Sequence, residues 1–109
     1  MEISKRDWKL FQEKLPGWQE AFMERLTAEY MELLSSNMQG SEKFWALEKR
    51  IKEDRKKAGV RLFMVKSDMI HHLIMLAGEG AITADDLSEF SEDIQNTVKD
   101  FVRAQNGGK

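Results

Sequence analysis

Trp18, Phe22, Leu26, Tyr30 and Leu33 recur at steps of four, four, four and three, the clearest periodic signal in the chain. Ala21, Met23, Met31 and Leu34 widen this stripe beyond what one partner helix needs. The spacing predicts a long amphipathic helix over roughly 16–35. It sits centrally in the monomer, or part of it meets a second subunit. A shorter helix precedes it, started by the Ser4–Asp7 capping pattern and carrying Trp8, Leu10, Phe11 and Leu15 on its apolar positions. Pro16 lacks an amide donor and crowds the turn before it, so a break or strong kink is expected there, with Pro16 in the first turn of the second helix.

The polar run SSNMQGS over 35–41 reads as a loop, and Ser41 as the cap of a third helix ending near Lys57. Phe44, Leu47 and Ile51 form its predicted buried stripe. Gly59 suits the left-handed position that ends a helix. VRLFMV over 60–65 is either a short extended segment or a buried connector. A fourth helix starts at Ser67–Asp68, with Met69, Ile70, Leu73, Ile74 and Ala77 inward, and the glycines after it stop it. Thr83 with Asp86 predicts a short fifth helix by the capping-box pattern. A sixth begins near Ser91, with Ile94, Val98, Phe101 and Val102 inward. The reading is an all-α fold: a single helical bundle of five to six helices over 1–104, with a frayed tail at 105–109.

Charge adds a second pattern. The net charge of −2 over 109 residues hides a basic middle and an acidic end. Residues 41–66 carry nine basic and four acidic side chains, and residues 67–109 three basic and eight acidic. These segments either bind separate partners or face each other within or between subunits. The absence of cysteine excludes disulfides, thiol catalysis and cysteine metal sites, and fits a reducing compartment. No segment approaches the ~20 apolar residues a membrane span needs, and residues 1–11 lack the apolar core of a secretory signal. A cytoplasmic protein without a membrane partner is expected.

Candidate chemistry narrows the reading further. Aligned on Gly80, the segment GEGAITADDL matches the back half of a calcium-binding loop at Ile82, Asp86 and Leu87. Its first two ligand positions fall on Met75 and Ala77, which offer no oxygen, so no calcium is expected. Asp68 and His72 share a helix face, but two ligands fall short of a zinc site, and His71 points about 100° away. No phosphate loop, nucleophile elbow or metalloprotease motif is present, so no catalytic, cofactor or metal residue is assigned. Trp45, Lys49, Lys52 and Lys56, spaced four, three and four apart, form a candidate face for an anionic partner on the basic helix 42–57.

KFWALEKRIKEDRKKAGVRL at 43–62, together with GAITADDLSEFSEDI at 80–94, resembles a group of short bacterial all-helical proteins of unknown function. The likeness covers most of the chain and carries over no catalytic residue. Chains of that kind sometimes bear a multidrug-transporter label, against which the lack of a spanning segment argues. The leading expectation is a non-enzymatic protein-interaction or regulatory protein, with a protein partner or a second copy of itself. A nucleic-acid-binding module using the helix at 42–57 ranks second.

Overall fold

The computed structural model describes residues 2–62 and 64–107, with backbone alone at 106 and 107. It is all-helical: four α-helices, α1 (Lys5–Leu34), α2 (Gly40–Asp54), α3 (Met69–Gly78) and α4 (Glu92–Gly107), and single 3₁₀ turns at Lys66–Asp68 and Asp85–Leu87. Four helices replace the five or six expected, for two separate reasons.

The first is Pro16, which lies inside α1 and breaks nothing. Phe11, Leu15, Phe22 and Leu26 are all buried, so the apolar stripe keeps its phase across the proline. Gln12, whose carbonyl loses its helical donor, and Pro16 itself are both exposed, so water can satisfy that carbonyl. Packing on both flanks holds the turn that local chemistry disfavours. The second reason is the segment after Thr83, which closes as one 3₁₀ turn rather than a helix.

α1 starts where expected. The Asp7 amide donates to Ser4 Oγ at 3.0 Å, and the Ser4 hydroxyl returns a bond to the Asp7 carboxylate at 3.0 Å. Asp7 is buried, and its other oxygen accepts from the Ser91 amide at 3.1 Å, at the start of α4. One carboxylate thus holds the capping Ser4 hydroxyl at the start of α1 and takes the Ser91 amide at the start of α4. At the other end of α1, the Ser35 and Ser36 hydroxyls donate to the Met31 and Leu33 carbonyls at 2.8 Å each, competing with further helix. α2 begins at Gly40, one residue before the expected Ser41 cap, and Gln39 makes no side-chain capping bond.

The core joins the first two-thirds of α1 to α3, α4 and the loop between them: Phe11, Leu15, Phe22 and Leu26 meet Met69, Leu73, Leu76, Ile82, Leu87, Phe90, Ile94 and Val98. Phe101, expected inward on α4, is exposed, whereas Val102 packs partly against the core. α4 continues through Gly107, past the expected start of a frayed tail; residues 108–109 lie outside the described residues. Among the described residues there is no strand. Val60 and Leu62 pack partly against the core, so this part of 60–65 is a connector, and Phe63 lies outside the described residues.

Gly59 ends no helix in the left-handed conformation; Gly80 alone among the described glycines has positive φ, at 80°. Gly59 is required for space. A Cβ there would sit 2.7 Å from Phe22 Cγ, so the chain crosses α1 at a point only glycine fits. The Glu79 carboxylate accepts from the Ala58 and Gly59 amides at 2.9 and 3.1 Å, and the Gln19 side chain donates to the Ala58 carbonyl at 3.2 Å. This crossing separates the core from the far end of α1, which α2 accompanies. The molecule is correspondingly long, 52 × 34 × 21 Å with a radius of gyration of 16.4 Å, against about 13 Å for a compact chain of this size.

Candidate functional site

α2 is built as an amphipathic helix and then left uncovered. Its only buried residue is Asp54. Phe44, Leu47 and Ile51 do not form the buried stripe their spacing predicts: Phe44 is 63% exposed, Ile51 44% exposed, and Leu47 half-buried. Among the described residues the helix that packs against α2 is the C-terminal part of α1, which covers a different side of it. There too the apolar stripe outruns its cover, with Met31 68% and Leu34 44% exposed.

The hairpin is held together by a polar pin. The Tyr30 hydroxyl donates to Asp54 Oδ2 at 2.6 Å, and Lys57 lies 3.1 Å from Asp54 Oδ1. Arg50 reaches Glu29 at 2.6 Å and Asp54 at 3.5 Å, and its guanidinium stands 5.4 Å from the centre of the Tyr30 ring. Burial alone would raise the Asp54 carboxyl, but the Tyr30 hydroxyl, Lys57 and Arg50 outweigh it and hold it below the ordinary carboxylate range. The same burial, joined by the bond to Asp54, pushes the Tyr30 phenol up to about 12. Beside the pin runs a cleft of about 240 Å³, lined by Met23, Leu26, Thr27 and Tyr30 of α1 and by Ile51, Asp54, Arg55 and Val60.

The anionic-partner face is only partly assembled. Trp45, Lys49 and Lys52 lie on α2 and are exposed, on the side turned away from α1. Lys56 lies beyond the helix end at Asp54, in the following turn, so it does not extend the row at helical spacing. Lys52 is paired with Glu48 at 2.8 Å. Trp45 packs edge-on to Phe44 with ring centroids 4.9 Å apart, which makes an apolar knob of two aromatics rather than one free stacking surface.

The Gly80 corner uses its polar groups internally. The Ala81 amide donates to the Leu76 carbonyl at 2.9 Å and the Gly80 amide to Ala77 at 3.1 Å, the paired bonds of a Schellman stop. Asp86, at the last ligand position of a calcium loop, accepts from the Thr83 amide at 2.7 Å. Glu79, the one acid in the front half, is engaged with Ala58 and Gly59. Arg25 donates to the Gly80 carbonyl at 2.8 Å and ties the corner to α1.

His72 lines a small cleft with Arg61 and Asp68, its Nδ1 buried without a hydrogen-bond partner among the described residues. Burial holds its imidazole below the usual value, against the pull of Asp68. His71 is exposed, and the described residues hold no group of three or more His, Asp or Glu placed for a metal. No helix among them is long and apolar enough to cross a membrane.

Sequence reasoning found the amphipathic pattern of α2 but missed the Tyr30–Asp54 pin. The only trace of it in the sequence is an acid at the seam side of α2. Comparison with protein-family models, with curated proteins and with solved structures finds no match to this chain.

Proposed function

We propose that this chain is a non-enzymatic cytoplasmic interaction protein, and that the exposed face of the α1–α2 hairpin is its docking surface. One observation carries the reading. Phe44, Trp45, Ile51, Met31 and Leu34 stand exposed together on the two helices that extend beyond the core. Exposed clusters of large apolar side chains mark binding surfaces, and aromatic anchors dominate such interfaces. The hairpin is rigidly pinned by Tyr30, Asp54 and Arg50, so its face is presented in one geometry.

The test is affinity purification from the native cell with nuclease treatment, comparing the unaltered chain with a Phe44→Ser, Ile51→Asn double variant. Both substitutions fall on exposed positions and should leave melting unchanged. A protein retained by the unaltered chain and lost with the variant supports the reading. Equal retention by both overturns it.

The nucleic-acid reading has one feature in its favour, Trp45 exposed beside Lys49. Loss of all bound material on nuclease treatment would support it. The pairing of Lys52 with Glu48 and the displacement of Lys56 into the turn leave it the weaker of the two.

A further inference from the structure

The connector that follows α2 closes over α3 at His72. A cleft of about 240 Å³ lies between them, with Ala58, Leu62 and Val65 on the connector side and His72 and Met75 on α3. The ring sits half-buried in its wall, and Nδ1 is fully buried with no hydrogen-bond partner among the described residues. A neutral imidazole tolerates this place: with its one proton on Nε2, Nδ1 is an unmatched acceptor. A protonated ring carries a donor on each nitrogen, so the buried one would hold a charged N–H with no acceptor, the costlier way to leave a polar atom unmatched.

The charged groups around the ring do not remove that cost. Arg61, from the connector, brings a positive charge to the same cleft. Burial holds the imidazole below its ordinary 6.5, Asp68 of the 3₁₀ turn pulls the other way, and His71 beside it on α3 adds to the lowering. Glu79, past the end of α3, is already engaged by the Ala58 and Gly59 amides.

We infer that His72 is a proton-operated latch: its neutral ring seats the connector at 58–62 on α3, and its protonation in mild acid releases that connector while the core stays folded. The connector joins the α1–α2 hairpin to the core, so its release frees the return end of the hairpin. Met69, Leu73 and Leu76 keep α3 in the core either way. Seated, the ring titrates below 6.5, and released, at its ordinary value. Release is therefore unaided above that pH and favoured below it, by up to about tenfold per pH unit until the seated ring itself takes a proton.

The experiment is hydrogen exchange followed by NMR on the full chain between about pH 7 and about pH 5, with rates corrected for the intrinsic pH dependence of amides. The Ala58 and Gly59 amides should lose protection several-fold as pH falls, while the Ala81 amide, bonded to the Leu76 carbonyl at 2.9 Å, keeps its own. His72→Leu and His72→Gln each remove the titrating ring and should abolish the loss, which separates it from any titration of Glu79. Thermal melts at neutral pH identify which of the two variants is folded and fit for the comparison. Protection that is constant with pH overturns the inference. So does a loss that persists in a folded His72 variant, or one that the Ala81 amide shares.

Discussion

The Tyr30 hydroxyl and the Asp54 carboxylate meet at 2.6 Å, and this bond joins α1 to α2 where no apolar side chain of α2 is buried. A hairpin that leaves its apolar stripe in water needs another device to fix the angle between its helices. Here it is a buried acid satisfied by a phenol and two cations.

The pin makes stability depend on pH in opposite directions at the two extremes. The Tyr30 phenol titrates at about 12 when folded, against 10.0 as its ordinary value, so its contribution is complete below pH 10.0 and is lost as pH rises toward 12. Two pH units of separation correspond to on the order of 3 kcal/mol, less whatever solvent screening removes. The Asp54 carboxyl is held below its ordinary value, so its contribution is present above the carboxylate range and lost as pH falls through it. Denaturant melts of Tyr30→Phe should show about 1–3 kcal/mol less stability at neutral pH and a flatter decline between pH 10 and 12. An unchanged alkaline slope would count against the bond.

At Gly59 the constraint is space, not backbone angle. Gly59→Ala would press its methyl group into the Phe22 ring and should cost about 1–3 kcal/mol. Pairing it with Phe22→Leu should recover part of that cost, because the smaller side chain vacates the overlap. Thermal melts of the two single variants and the double variant measure the coupling directly.

Pro16→Ala should stabilise the protein. In a continuous helix the substitution returns a donor to the Gln12 carbonyl and removes the ring's crowding, a gain of about 1–3 kcal/mol. If the chain broke at this position, with Pro16 opening a second helix, the change would be neutral or unfavourable, since proline is favoured there. Chemical denaturation separates the two outcomes.

Asp7 serves two helix starts, so its removal should cost more than one cap. Asp7→Ala removes the carboxylate's bonds to the Ser4 hydroxyl and the Ser91 amide and is expected to lower stability by about 2–3 kcal/mol, against about 1 kcal/mol for Ser4→Ala, which loses the cap on the Asp7 amide. Hydrogen exchange at the Ser91 amide should accelerate in Asp7→Ala but not in Ser4→Ala.

Much of the fold was legible in local signals. The Ser4–Asp7 cap, the serine-rich end of α1 and the Thr83–Asp86 turn each follow from side chains bonding to backbone a few residues away, and the Gly80 stop from a glycine free to take positive φ. The continuity of α1 was also written there, in the unbroken spacing of Phe11, Leu15, Phe22 and Leu26, but the known cost of an internal proline outweighed it. Of the candidate site, the amphipathic pattern of α2 was visible and its exposure was not. Periodicity shows that a face is apolar, not that the chain has anything to cover it.

The sequence by itself determined that this protein is all-helical, where its turns and caps fall and which face of each helix is apolar, because those depend on neighbours within about four residues. Only the tertiary structure decided that Asp7 bonds to Ser91, 84 positions away, that Phe22 leaves no room at Gly59, and that Phe44 and Ile51 face water. Those outcomes turn on which distant segments meet, and the core formed by α1, α3 and α4 is complete without the apolar face of α2.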